Sequence, residues 1–335
     1  MNKTLGSIAI LGAGAFGTAL ALYLARRGQA VRLWSIDKTE IAALLADCEN
    51  KRFLPGFPFP ETLAPTYQLA DALSNAANVL MAVPSVGYRH VLSLAQSYLQ
   101  DRPTLISATK GIDAKTGKFL NDLITEILGD DYPFAVLAGP SFARELAQGF
   151  PTAVILAAGH QQIIQPLTMR FDSAIFRVYP SDDVIGVEVG SVLKNVIAIA
   201  CGISDGMGFA ANTQSAIITL GLDEISRLGL ALQAKKETFM GLSGMGDLIL
   251  TCSDNQSRNR RFGTALGRGL NPKEAEAQVG HAIEGKQNAE LVVKLAHTHH
   301  TNMPICETVQ DLLTGKLSTQ DPAMIIERFF SPSSK

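Results

Sequence analysis

The stretch that decides the fold is Ser7–Asp37, S-I-A-I-L-G-A-G-A-F-G-T-A-L-A-L-Y-L-A-R-R-G-Q-A-V-R-L-W-S-I-D. Ile8 to Leu11 is a short apolar run of the kind that forms a buried strand. Gly12, Gly14 and Gly17 mark a tight turn, and an Ala/Leu-rich helix follows to about Arg27, stopped by Gly28. A second apolar run, Val31 to Trp34, leads to Asp37, about 20 residues past the glycines. Strand, G-x-G-x-x-G, helix, strand and acid in that order form a dinucleotide fingerprint. Gly12 permits the turn, Gly14 lets backbone approach a pyrophosphate, and Gly17 allows close packing of helix on sheet. The helix N-terminus offers unpaired N–H groups and partial positive charge to phosphate.

No charged residue lies between Lys3 and Arg26, which a signal anchor would share. Three glycines in six residues and a strand pattern after Gly28 suit a soluble βαβ unit better, and no other membrane candidate stands out. The 335 residues suffice for two domains, and the formal charge of −2, with no basic tail, gives no sign of a nucleic-acid or lipid-surface partner. Cys48, Cys201, Cys252 and Cys306 are widely spaced without C-x-x-C, as expected of reduced thiols in a cytoplasmic protein. His299 and His300 lack partners at metal-ligand spacing, so no metal site is expected.

Outward from the fingerprint, further strands are expected at Asn78 to Val83, Thr104 to Ala108, Phe134 to Leu137, Ala153 to Ala157 and Phe176 to Tyr179. Helices are expected at Lys38 to Ala46, Tyr88 to Leu99, Asn121 to Leu128 and from Ala143 to Gln148. The alternation implies a parallel, doubly wound α/β sheet of Rossmann type over residues 1–180. Beyond Ser181 strand signals stop, and an all-α domain is expected over 181–335, with helices such as Val184 to Ala200, Arg258 to Gly267 and Gly285 to His299, and a polar tail from Ser331. Phe53 to Pro60, F-L-P-G-F-P-F-P, is a stiff loop that either covers a ligand or packs on the core.

Lys110 follows a strand in S-A-T-K-G-I, where it either holds an anionic or carbonyl substrate or is a solvated loop lysine. Gly139-Pro140-Ser141 ends the next strand, an anion-tolerant corner or a plain helix cap at Ser141. Lys194 lies in the apolar helix V-G-S-V-L-K-N-V-I-A-I-A-C-G. Burying an ammonium is costly and lowers its pKa, which suits a general acid/base. The alternatives are a snorkelling lysine or a structural pair with a carboxylate such as Glu188. A glycine-rich loop from Gly241 leads into Asp247, and N-Q-S-R-N-R-R (Asn255 to Arg261) follows. Arg and Asn donors there suit a phosphorylated polyol, though Arg260 and Arg261 fit a basic helix face equally. Gly280 to Gly285 is a small loop carrying Glu284, which either reaches the cofactor or caps the following helix.

Taken in order, G-A-G-A-F-G-T-A-L-A, A-T-K-G-I, A-G-P-S-F-A-R-E-L, L-K-N-V-I-A-I-A-C-G-I-S-D-G, G-D-L-I-L-T-C and S-R-N-R-R-F-G resemble the bacterial NAD(P)-dependent glycerol-3-phosphate dehydrogenases over essentially the whole chain. The resemblance implies reduction of dihydroxyacetone phosphate to sn-glycerol 3-phosphate by NAD(P)H, for phospholipid synthesis, without a metal. It implies Lys194 as proton donor and acceptor, and Lys110 between cofactor and substrate. It places Gly139, Ser141, Asp247, Ser257, Arg258 and Asn259 on the substrate, with Thr251 nearby. Gly12, Gly14, Ala15, Phe16, Gly17, Ile36, Lys110, Ala143, Arg258, Ala282 and Glu284 match cofactor positions. At position 36, where many relatives carry a basic or imidazole side chain, this chain has Ile36 between Ser35 and Asp37. Asp37 suits a ribose hydroxyl and Lys38 a 2′-phosphate, so both cofactors stay open. A homodimer fits a helical domain of this build. Two other readings are a two-domain β-hydroxyacid dehydrogenase, whose substrate bears a carboxylate, and a non-catalytic nucleotide sensor, which would not need Lys110, Lys194 and Asp247 together.

Overall fold

A computed structural model describes residues 6–280 and 282–331, so His281 of the small loop and the tail beyond Ser331 lie outside the described residues. The chain divides into two compact units. One comprises the residues up to Thr109 together with Leu120–Val184; the other comprises Lys110–Phe119 and Ile185 onward. The sequence reading put one boundary after residue 180 and did not foresee the short excursion at Lys110–Phe119.

In the first unit the elements run β1 (Ser7–Leu11), α1 (Ala15–Arg26), β2 (Val31–Trp34), α2 (Lys38–Asp47), β3 (Leu63–Thr66), α3 (Leu69–Leu73), β4 (Ala76–Met81), α4 (Ser85–Ala95), β5 (Thr104–Ser107), α5 (Leu120–Leu128), β6 (Phe134–Ala138), α6 (Ala143–Gln148), β7 (Thr152–Ala157), α7 (Gln161–Phe171) and β8 (Phe176–Ser181). They form one eight-stranded sheet in the order β3-β2-β1-β4-β5-β6-β7-β8. Every pairing is parallel except β6 with β7, which is antiparallel. That exception departs from the all-parallel expectation. The short α6 and a turn at Gly149, in the left-handed region, send the chain back beside β6 instead of completing a crossover.

Strand periodicity builds the three layers. Ile8 and Ile10 of β1, with Leu80 of β4, join the core under α1, α2, α6 and α7. Ala9 and Leu11, with Val79 and Met81, join the opposite core under α3, α4 and α5. The sequence reading missed β3, α3 and α7. Strand β3 is only L-A-P-T, and Pro65 is tolerated because β3 lies at the sheet edge. Pro166 lies inside α7 and hides its helical pattern.

The second unit is helical: α8 (Val184–Gly206), α9 (Ala211–Ala231), α10 (Lys236–Phe239), α11 (Asp247–Ser253), α12 (Arg258–Gly267), α13 (Pro272–Val279), α14 (Glu284–Thr298), α15 (Pro304–Thr314) and α16 (Pro322–Phe329). Helix α8 is its axis, with every residue from Gly186 to Ser204 buried. By length and hydropathy α8 could cross a membrane, a candidate the sequence reading passed over, yet its apolar surface is used inside this unit. It also runs past Ala200, where the sequence reading ended it, through Gly202 and Gly206. Those glycines are contact points. A Cβ on Gly202 would lie 2.0 Å from the Arg260 carbonyl oxygen, and one on Gly206 2.3 Å from that of Thr264. Gly263 and Gly267 of α12 answer with 2.1 Å to the Ile199 oxygen and 2.2 Å to that of Ile203. Glycines four apart on both helices thus let two backbones touch. Buried Glu224 of α9 accepts from the Ile305 N–H at 2.6 Å and the Cys306 N–H at 3.2 Å, capping α15 across the unit.

Gly263→Ala puts a methyl group where the Ile199 carbonyl lies, so we expect a loss of about 1–3 kcal/mol from overpacking. Urea unfolding of the variant beside wild type measures it, and an unchanged midpoint would refute the backbone contact.

Candidate active site

In the first unit the fingerprint turn is built as its glycines require. Gly12 has φ +119°, and a Cβ there would lie 2.5 Å from the Ala82 carbonyl oxygen. A Cβ on Gly17 would lie 2.0 Å from the Gly12 oxygen. Gly14 differs: no heavy atom lies within 4 Å of the Cβ it lacks. Packing does not demand glycine there, and the free space is what a pyrophosphate needs. Gly14 is also the N-cap of α1 and offers no side-chain bond, so the first-turn N–H groups around Ala15 and Phe16 keep their donors for an anion. Buried Asn50 holds the turn from below, its Nδ2 donating to the Ala13 carbonyl at 2.7 Å and to Thr18 Oγ1 at 2.8 Å. These features fit a dinucleotide. The aromatic loop that follows packs: Leu54 is buried, and Phe57 and Phe59 lie against the core.

At the end of β2, Ile36 is exposed. The Oδ1 of Asp37 accepts from the Thr39 N–H at 2.8 Å and the Glu40 N–H at 3.3 Å, capping α2. Lys38 Nζ lies 5.0 Å from the Tyr67 ring centroid. Gly139 has φ +135°, and Ser141 Oγ donates to its carbonyl at 3.0 Å. The cap of α6 is therefore not Ser141. Phe142 holds that position without a side-chain bond, and Ala143 opens the helix.

In the second unit three chemical groups meet far from each other in sequence. Lys194 is 5% exposed, and its Nζ donates to Asp247 Oδ1 at 2.5 Å and to Thr251 Oγ1 at 2.8 Å. It neither snorkels nor pairs with Glu188. Lys110 Nζ donates to the other oxygen, Asp247 Oδ2, at 2.9 Å, with a fifth of its side chain exposed. Thr251 Oγ1 passes its own hydrogen to the Asp247 carbonyl at 2.6 Å, which leaves its lone pair for Lys194. Two of the three ammonium hydrogens of Lys194 are thus used within the described residues.

Local packing explains why Asp247 arrives there. The Gly241 N-terminal run is no open loop: Leu242–Gly246 is a turn of π-helix, closed by the Gly246 N–H donating to the Gly241 carbonyl at 3.1 Å. A Cβ on Gly190 of α8 would lie 2.5 Å from the Ser243 oxygen, and one on Gly244 2.2 Å from the Phe239 oxygen. Gly190 and Lys194 share a face of α8 one turn apart. The close contact at the first therefore delivers Asp247 to the second.

Burial lowers the Lys194 pKa from 10.5 to about 7, with the attraction of Asp247 opposing and the repulsion of Lys110 adding to the fall. Burial pushes Asp247 upward, but Lys110 and then Lys194 outweigh it, so its carboxyl sits below the ordinary value. The site thus holds a lysine able to change charge near neutral pH beside a carboxyl held below its ordinary value.

Ser257 is the buried N-cap of α12, its Oγ accepting from the Arg260 N–H at 3.2 Å. Arg258 is the first residue of that helix, is exposed, and feels the Glu284 charge. Asn259 is largely committed: its Nδ2 donates to Asn195 Oδ1 at 2.9 Å, and its Oδ1 accepts from the Gly285 N–H at 2.9 Å. One amide hydrogen remains for a ligand. Arg260 is structural, paired with Asp205 at 2.6 Å and bonded to Asn255. Ala282 is half-buried. Sequence reasoning did not anticipate Asn288, fully buried on α14, whose Oδ1 accepts from the Ile112 N–H at 3.3 Å. Its signal was an asparagine on the apolar face shared with Gly285, Ala289 and Val292. Among the described residues no cluster of three metal-ligating side chains occurs.

Known proteins match the chain along nearly its whole length. The family profile described as NAD-dependent glycerol-3-phosphate dehydrogenase N-terminus matches residues 7–164, and that of the C-terminus residues 183–324. A glycerol-3-phosphate dehydrogenase [NAD(P)+] of Psychromonas ingrahamii is 46% identical over 95% of this chain and 96% of its own length. That of Citrobacter koseri is 46% identical over 97% and 96%. The crystal structure of glycerol-3-phosphate dehydrogenase from Coxiella burnetii superposes with a TM-score of 0.94 at 43% identity, covering 98% of this chain and 99% of that one. A ternary structure of D-mandelate dehydrogenase, at 14% identity and TM-score 0.65 over 92% of this chain and 98% of that one, shares the fold alone. With both profiles matched in order and relatives this similar end to end, the chain belongs to the NAD-dependent glycerol-3-phosphate dehydrogenase family, an oxidoreductase family that uses NAD(P).

Proposed function

We propose that this chain interconverts dihydroxyacetone phosphate and sn-glycerol 3-phosphate with Lys194 as the general acid and base. The observation that carries this is the buried Lys194 ammonium, tied to Asp247 and Thr251 with one hydrogen left over among the described residues. The nicotinamide cofactor, when bound, supplies or accepts the hydride. Gly14 and the uncapped N-terminus of α1 hold its pyrophosphate. As the carbonyl carbon is reduced, negative charge grows on the carbonyl oxygen. Lys194 in its ammonium form donates a proton to that oxygen, and Lys110 adds a second positive charge nearby. In the reverse direction neutral Lys194 takes the hydroxyl proton. Asp247 holds both lysines in place, and Thr251 fixes the direction of the Lys194 Nζ.

The phosphate end belongs at the N-terminus of α12. Ser257, Arg258 and Asn259 follow one another where that helix begins, and the Arg258 guanidinium, the first-turn N–H groups that Ser257 does not cap and the remaining hydrogen of Asn259 would bind the phosphate. Binding energy from the phosphate, remote from the reacting carbon, then orients the carbonyl. Gly139, Ser141, Ala143, Ala282 and Glu284 take their substrate and cofactor roles from the resemblance. The product supplies the backbone for glycerophospholipids, and the reaction belongs in the cytoplasm.

Lys194→Ala should lower kcat for dihydroxyacetone phosphate by about 10²–10⁴-fold, while fluorescence titration still detects NAD(P)H binding. Near wild-type kcat would refute the role of Lys194. Because burial lowers the Lys194 pKa to about 7, kcat/KM for reduction should fall as pH rises through that region, and kcat/KM for oxidation of glycerol 3-phosphate should rise across it. Profiles flat between pH 6 and 8 in both directions would contradict the assignment. Arg258→Ala should raise KM for dihydroxyacetone phosphate about 10–100-fold, the worth of a charge-assisted contact, with a smaller change in kcat. An unchanged KM removes Arg258 from the phosphate site.

A further inference from the structure

Lys110 reaches Asp247 from a segment, Lys110–Phe119, that joins the helical unit. Inside the segment the chain is tied to itself. Ile112 and Phe119 form an antiparallel bridge. The Asp113 N–H donates to the Lys118 carbonyl at 2.9 Å, and Asp113 Oδ2 accepts from Thr116 N at 3.0 Å and Oγ1 at 2.6 Å. Ile112 and Phe119 anchor it in the helical core, both at most 3% exposed.

Nonspecific burial fixes a segment's place but not its register. A directional tie is the Ile112 N–H to Asn288 Oδ1 bond, two residues from Lys110. Asn288 makes it at a cost, since its own Nδ2 is buried with no hydrogen-bond partner among the described residues. A side chain that carries an orphaned donor and still fills a fully buried position is there for its oxygen. One turn back on the same face of α14, the Gly285 N–H binds Asn259, which binds Asn195, the neighbour of Lys194. A Cβ on Gly285 would lie 2.5 Å from the Asn195 carbonyl oxygen, so α14 and α8 are in backbone contact. One face of α14 therefore registers both lysines.

We propose that Asn288 is a positioning residue for the reaction: its Oδ1 holds the Ile112 N–H, and through it keeps Lys110 on the carboxylate that Lys194 shares. This rests on the reading of Lys194 and Lys110 given above. If Lys110 leaves Asp247, Lys194 loses a repelling cation and keeps the whole carboxylate. The groups facing Lys194 are Asp247 and Thr251 of α11, Lys110, and the neighbouring Cys252 thiol. With Lys110 gone from this set, Lys194 titrates higher.

The test is a double-mutant cycle on the full chain. Asn288→Leu should lower kcat/KM for dihydroxyacetone phosphate about tenfold, and Asn288→Ala should do likewise, with thermal unfolding checking that each is folded. In the Lys110→Met background either substitution should change kcat/KM by less than about twofold. The alkaline limb of the reduction profile should move upward in Asn288→Leu, as in Lys110→Met. Without any variant, hydrogen exchange on the ligand-free protein should find the Ile112 amide slower than that of Lys115, and Asn288→Leu should speed it. An equal loss in the Lys110→Met background, or an Ile112 amide exchanging as fast as Lys115 in wild type, overturns the proposal. Lys194→Ala keeps the two readings apart. If that variant retains turnover, the acid/base role falls, while the exchange at Ile112 and the cycle with Lys110 still decide Asn288.

Discussion

One carboxylate holds the two lysines of the helical unit together. Two ammonium groups at the edge of a core repel each other and lose hydration, so neither is stable there alone. Asp247 gives one oxygen to each lysine and converts an unstable pair into a satisfied triad. The division of labour follows from burial. Lys110 keeps part of its surface in solvent, whereas Lys194 is enclosed and therefore carries the larger desolvation cost. The same shared anion thus holds a partly solvated lysine on one oxygen and, on the other, an enclosed lysine whose pKa burial lowers to about 7.

That triad requires backbone to be where side chains would normally stand. Helix α8 touches the π-turn at Gly190, α12 at Gly202 and Gly206, and α14 opposite Gly285. Each contact is a carbonyl against a missing Cβ. Close-packed helices of this kind have little freedom to slide, which is what a site tolerant of only small errors in distance demands. The polar Asn195–Asn259–Gly285 relay adds direction to what the glycines supply in proximity.

The first unit was legible in the sequence because strand, glycine turn and helix announce themselves locally. Ile8, Ile10, Ala9 and Leu11 alternate cleanly between two cores, and Gly12 and Gly17 stand where a Cβ would meet backbone. Lys194 was legible for a different reason: a charge in a long apolar helix is costly enough to demand a partner. What stayed hidden was non-local. Nothing near Gly241 says that its glycines are packed into a π-turn against α8, since the reason lies fifty residues upstream at Gly190. Pro65 and Pro166 concealed a strand and a helix whose tertiary setting tolerates them. Asn288 and the antiparallel β6–β7 step likewise depend on partners that no local pattern names.

The helical unit is not a continuous piece of chain. Lys110–Phe119, which carries one of its two lysines, is flanked on both sides by residues of the sheet unit. During synthesis this strap emerges long before α8 or α11 exists to receive it, so Ile112 and Phe119 remain without their core until most of the C-terminal helices have been made. The sheet unit, by contrast, has all its strands once Ser181 is out. The pairing of both lysines with Asp247 is therefore completed late. A fragment starting after β8 would lack Lys110 and the Ile112 N–H together, which makes the two units inseparable by simple truncation even though each has its own core.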